Sequence, residues 1–188
     1  MAGTEGRFVA MSTATKLTYE DYLAIPDDGR RHEIIDGEHY VVPAPNTSHQ
    51  LVSGNIYFAL ALWVREHASG VVMYSPVDVI LSEHDIVEPD LVFVRSENAS
   101  RVEQRGIAGS PDLVVEILSP SNRRYDQVRK RELYERFGVP EYWIVDCDER
   151  TVKVLRLRGA RYAEIEIGDI LTSPLLPGFT LPLATLFP

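Results

Sequence analysis

Apolar and polar positions divide this chain into short alternating runs and two longer helical ones. Thr18 stands as an N-cap ahead of a short helix, "YEDYLAI". "RHEIIDGEHYVV" places Asp36-Gly37 between two β-prone runs, which predicts a hairpin. "NTSHQLVSGNIYFALALWVREHAS" predicts a long, largely buried helix closed by Gly70. "VVMYSPVDVIL" predicts one or two strands, and "IVEPDLVFV" another. Residues 95–110 are polar and predict a loop with a turn of helix. A strand over 112–118 then runs into a helix over about 122–137, stopped by Gly138. "PEYWIVDC" predicts a strand, and "TVKVLRLRGARYAEIEI" a hairpin turning near Arg158-Gly159. The proline-rich apolar tail "ILTSPLLPGFTLPLATLFP" packs back on the domain or onto a second subunit. These elements predict a mixed α/β (α+β) domain: a central β-sheet flanked by helices, with an N-terminal hairpin. Residues 16–188 read as a single domain behind a disordered segment, 1–15.

Two charges break the pattern. Alternate strand residues share a face, so Glu116 lies between Val114 and Leu118, with Asp112 on the same side. On a helix, Lys130, Leu133, Tyr134 and Phe137 fall within about 80° of Asp126, forming one stripe with Lys130 in its middle. A helix that follows a strand packs on the sheet, so Lys130 can reach toward Glu116. One reading is a structural ion pair at the sheet rim, with a snorkelling lysine. The other brings in "VEPDLVFV", where Asp90 can lie beside Glu116. Clustered carboxylates repel unless a cation or proton sits between them. Two or three oxygens beside a lysine suit a Mg²⁺ site for phosphodiester chemistry. Asp112 is the weaker ligand candidate, because four residues along a strand span roughly 13 Å.

Charge and composition narrow the partners. The formal net charge of -9 argues against a broad nucleic-acid-binding face. Residues 121–136 nevertheless hold six basic side chains against three acidic ones, a local excess suited either to phosphate or to a solvated surface. "PSNRR" at the helix start could add phosphate contacts. One cysteine, Cys147, excludes an internal disulfide and fits a cytoplasmic location. No apolar run is long enough to span a membrane, and no secretory signal is visible.

The ordered motifs "HEIIDGE" (32–38), "EPDLVFV" (88–94), "PDLVVEILSPSN" (111–122), Asp126-x-x-x-Lys130-x-x-x-Tyr134, "GVPEYWIVD" (138–146) and "LPGFTLPL" (176–183) resemble the bacterial Uma-type restriction endonuclease family of the PD-(D/E)XK nuclease superfamily. The resemblance covers about residues 16–187 and implies a restriction-endonuclease-like fold. It implies DNA as substrate, Mg²⁺ or Mn²⁺ as cofactor and a homodimer. It makes Asp90 and Glu116 metal ligands, Lys130 the catalytic lysine and Glu33 a further acidic site residue; His49 matches a family position. From the residues alone, Glu33 reads equally as an exposed hairpin carboxylate, and His49 as a capping or core-edge group. Leu118 departs from the superfamily pattern, which has lysine there; Lys130 would replace it from the helix. The leading expectation is a metal-dependent DNA endonuclease. The alternatives are a non-catalytic interaction module that kept the fold, favoured by Leu118 and the acidity, and a metal-dependent hydrolase of another phosphoester.

Overall fold

The structure is a computed structural model that describes residues 15–119 and 125–188, with side chains in the second stretch from residue 128 onward. In chain order its elements are α1 (Tyr19–Leu23), β1 (Arg31–Ile35), β2 (Glu38–Val42), α2 (Thr47–His67), β3 (Gly70–Tyr74), β4 (Val79–Ser82), β5 (Asp85–Val87) and β6 (Leu91–Arg95). A 3-10 turn (Ser96–Arg101), β7 (Val102–Glu103), β8 (Gly106–Ala108) and β9 (Leu113–Leu118) follow. A π-helical segment, Tyr125–Lys130, leads into α3 (Arg131–Arg136). The chain continues with β10 (Glu141–Asp146), β11 (Thr151–Arg158), β12 (Arg161–Ile165), β13 (Ile170–Ser173), β14 (Leu176–Pro182) and α4 (Leu183–Leu186).

Local chemistry sets these boundaries. Thr18 caps α1 through a reciprocal pair with Asp21: the Asp21 N–H donates to Thr18 Oγ1, and the Thr18 N–H to Asp21 Oδ2. The β1–β2 hairpin turns on Asp36 and Gly37, both at positive φ, as a two-residue loop requires. Asn46 caps α2 by accepting the His49 N–H at 2.9 Å. The helix ends at His67 with Ala68 in the left-handed conformation, so Gly70 is not its stop. Gly70 instead opens β3, where a Cβ would collide with the Val94 carbonyl. "IVEPDLVFV" is likewise two strands, β5 and β6, separated by Glu88-Pro89-Asp90. Proline cannot donate to a ladder, and the break lets the chain pass from one sheet to another.

Each of those sheets has six strands. One has the order β12-β11-β10-β9-β6-β3, with β9 and β10 parallel at its centre. The other has the order β2-β1-β5-β4-β8-β7, and β13-β14 forms a separate antiparallel pair. Leu113, Val115 and Ile117 of β9 face one core with Val52, Ile56 and Leu60 of α2. The tail packs back here, through Leu171, Leu176, Phe179 and Leu186. Val114 and Leu118 face a second core, shared with Ile35, Val79 and Val87 of the other sheet and Leu133 and Tyr134 of α3. Glu116 lies on this second face, between two apolar layers.

Candidate active site

The break at Pro89 sets up the site. Leu91 pairs with Val115 and Val92 with Val114, so the register brings Asp90, one residue before β6, level with Glu116. The Ile117 N–H confirms the placement by donating to Asp90 Oδ2 at 2.8 Å. The β1 strand contributes Arg31 and Glu33 from the other sheet, two residues apart and so on one side. The start of α2 contributes His49, the segment leading into α3 contributes Lys130, and α3 itself contributes Tyr134.

Lys130 is the hub. Its Nζ lies 2.8 Å from Glu33 Oε1 and 2.9 Å from Glu116 Oε1. Only 2% of the residue is exposed, so the ammonium does not snorkel to the rim. Glu33 is fully buried, which overturns its reading as an exposed hairpin carboxylate. Its Oε1 also accepts the Glu88 N–H at 2.9 Å. The Tyr134 hydroxyl donates to Glu116 Oε1 at 2.7 Å. Burial, followed by the negative charges of Glu116 and Glu33, holds the Tyr134 phenol far above its ordinary range, so it stays a donor.

Asp90 is held on both oxygens. His49 Nε2 lies 3.0 Å from Oδ2, and Arg31 Nη1 3.2 Å from Oδ1. Burial pushes the Asp90 carboxyl up, but His49, Arg31 and the Ile117 N–H outweigh it and leave the group below its ordinary value. Burial also opposes the Arg31 charge, and Asp90, Glu116 and Glu33 more than restore it. His49 Nδ1 is buried with no hydrogen-bond partner among the described residues. A narrow cleft reaches this group, walled by Arg31, Pro43, His49, Asp90, Glu116 and Lys130.

Every expected residue whose side chain is described converges here: Glu33, Asp90, Glu116, Lys130, His49 and Tyr134. The Asp126 side chain, residues 1–14 and the "PSNRR" segment lie outside the described residues. Asp112 stands apart: it accepts from the Arg95 N–H and Nε, each at 2.9 Å, and from Asn98, bracing the start of β9. Leu118, where the superfamily lysine would stand, is 5% exposed and packed in the second core. Arg31 is the site residue that the sequence reading missed. Its position on the face of Glu33 was the available signal.

Three carboxylates, Glu33, Asp90 and Glu116, thus surround Arg31 and Lys130 in a buried cluster. Asp90 and Glu116 both wall it, and two carboxylate oxygens suit a hard cation that keeps waters and completes its shell with phosphate. Among the described residues, no group of three His, Cys, Asp or Glu side chains is arranged to hold a metal ion.

This combination of strand carboxylates, lysine and mixed sheet defines a nuclease-fold protein. The architecture is similar to a solved structure described as "a putative nuclease belonging to DUF820 from Anabaena variabilis ATCC 29413", at 22% identity and a TM-score of 0.75, covering 91% of this chain and 97% of that one. The chain belongs to the Uma2 family, described as "Putative restriction endonuclease", whose model matches residues 19–184. The restriction-endonuclease-like fold expected from the motifs is therefore present, in a chain of a nuclease family. No curated protein matches it. Among the described residues, no helix is long and apolar enough to cross a membrane.

Proposed function

We propose that this protein is a metal-dependent DNA endonuclease that hydrolyses phosphodiester bonds with water. The observation that carries the proposal is the buried Lys130 ammonium bonded to both Glu33 and Glu116 beside Asp90. Asp90 and Glu116 would hold a Mg²⁺ or Mn²⁺ ion, which would polarise the phosphate and acidify a bound water. Lys130 pairs with Glu116 and would place a positive charge where negative charge develops on the phosphate oxygens. Tyr134 fixes the Glu116 carboxylate through its hydroxyl, and His49 fixes the Asp90 carboxylate through Nε2. Glu33 anchors the lysine from the opposite sheet, which fixes the ammonium between two carboxylates. A homodimer would present two such sites to the two strands of a duplex.

A second reading has support from one observation: every carboxylate of the site already has a cationic partner. A non-catalytic module would need only that neutralisation. Calorimetric titration of Mn²⁺ into wild type and Glu116→Gln, followed by plasmid nicking with the same samples, separates the two. The nuclease reading expects Mn²⁺ binding and metal-dependent nicking in wild type, both lost in the variant. Wild type that binds no Mn²⁺ and nicks nothing would move the assignment to the interaction module.

A further inference from the structure

We propose that Arg31 guards the Asp90 carboxylate in the metal-free site and becomes a phosphate-binding residue when that carboxylate is released. The inference rests on the metal-dependent reading above and adds a role for a residue outside its ligand set.

The two oxygens of Asp90 are held differently. Oδ2 accepts from His49 Nε2 and from the Ile117 N–H, one of them a strand backbone group that cannot move away. Oδ1 has one partner among the described residues, Arg31 Nη1 at 3.2 Å. A cation bound by Asp90 would have to take the position that Arg31 now holds. Arg31 comes from the other sheet, so its side chain can turn without disturbing the β6–β9 pairing that sets the position of Asp90.

The guanidinium is prepared for a second partner. Nη1 makes all of its side-chain hydrogen bonds among the described residues, to Asp90, to Ser75 Oγ at 2.9 Å and to the Glu88 carbonyl at 3.4 Å. Nε and Nη2 form the edge that binds a phosphate with two parallel hydrogen bonds. The Arg31 side chain is 20% exposed, against 3% for Lys130. Three adjoining cavities meet around it: the narrow cleft, one against Gln50, Ser53 and Ser75, and one against Gly29 and Pro43–Pro45. Arg31 is the charged side chain common to all three. A backbone phosphate entering from either of the two wider cavities meets this guanidinium, because Lys130 lines the narrow cleft alone among the three.

The two roles give effects of opposite sign. Arg31→Met keeps the stem and removes the competing charge, so Mn²⁺ affinity should rise by roughly 5- to 150-fold. Binding of a short fluorescein-labelled DNA duplex in Ca²⁺ should weaken. Arg31→Lys, which keeps charge without the fork, should hold Mn²⁺ affinity near wild type and still weaken the duplex. Thermal melts of each variant check that the fold survives. Mn²⁺ binding to Arg31→Met alone, with none to wild type, would uphold the guarding role and overturn the metal-dependent reading of the native protein. Equal Mn²⁺ affinity in wild type and Arg31→Met would overturn the guarding role and leave the metal site standing. Tighter Mn²⁺ binding with unchanged duplex binding would overturn the phosphate role. Absence of Mn²⁺ binding in every protein would overturn both this inference and the metal-dependent reading beneath it.

Discussion

Replacing Lys130 with methionine tests the charge arrangement most directly. The variant keeps the buried stem and removes one ammonium from two carboxylates, Glu33 and Glu116, that lie 2.8 and 2.9 Å from it. Removing one partner of a buried ion pair costs about 3–5 kcal/mol. Protonation sets a ceiling on that cost. A carboxyl with an ordinary value near 4.3 takes about 1.4 kcal/mol per pH unit to protonate, hence about 3.7 kcal/mol at pH 7. One proton shared between the carboxylates restores the balance of charge that the lysine supplied. The expected loss is therefore about 3–4 kcal/mol at pH 7, falling to about 1 kcal/mol at pH 5. The sign follows from linkage: the stranded carboxyl has a folded value above its unfolded one, so folding takes up a proton and the deficit shrinks as pH falls. Urea denaturation at both pH values, followed by tryptophan fluorescence, measures it. A loss below about 1 kcal/mol at pH 7, or one equal at the two pH values, would show that Lys130 does not neutralise this pair.

The remaining predictions concern neighbouring groups. Tyr134→Phe removes a charge-assisted donor from Glu116 and should cost about 1.5–3 kcal/mol by urea denaturation, with plasmid nicking slowed. Unchanged stability and rate would remove Tyr134 from the site. Glu88→Gln should stabilise the protein at pH 7 by about 0.5–1.5 kcal/mol, because burial and then Asp78 push the Glu88 carboxyl up and its Oε2 is buried without a partner among the described residues. A raised carboxyl destabilises the fold at pH values above it, so the advantage of Gln should fade as pH falls toward about 4; a variant less stable than wild type at pH 7 would contradict this.

The sequence made the site's charges visible because they violate a period. Glu116 interrupts an apolar strand, and Lys130 sits on an apolar helical stripe, so both announced a buried partner. Asp90 was visible through its Glu-Pro-Asp setting. Its route into place was not, since "IVEPDLVFV" has the composition of one continuous strand and its division depends on Pro89 switching sheets. Glu33 and Arg31 were obscured for a related reason. Period-2 alternation assigns residues to a face of β1, and only the docking of one sheet against the other decides whether that face is wet. Gly70 misled through its usual role: it reads as a helix stop, whereas Ala68 takes the left-handed turn and Gly70 answers a close approach to β6.

The placement of the lysine on the segment before α3 has a consequence for synthesis. In the superfamily pattern the cation would stand at position 118, two residues from Glu116, and would leave the ribosome with it. Here Glu33, His49, Asp90 and Glu116 all emerge before Lys130. A nascent chain that ends short of this residue already holds Arg31 and His49 for Asp90, but leaves Glu33 and Glu116 without their shared ammonium, and their mutual repulsion opposes closing one sheet over the other. The Lys130 ammonium removes that repulsion, so the docking of the two sheets gains its full stability once the chain has grown past residue 130.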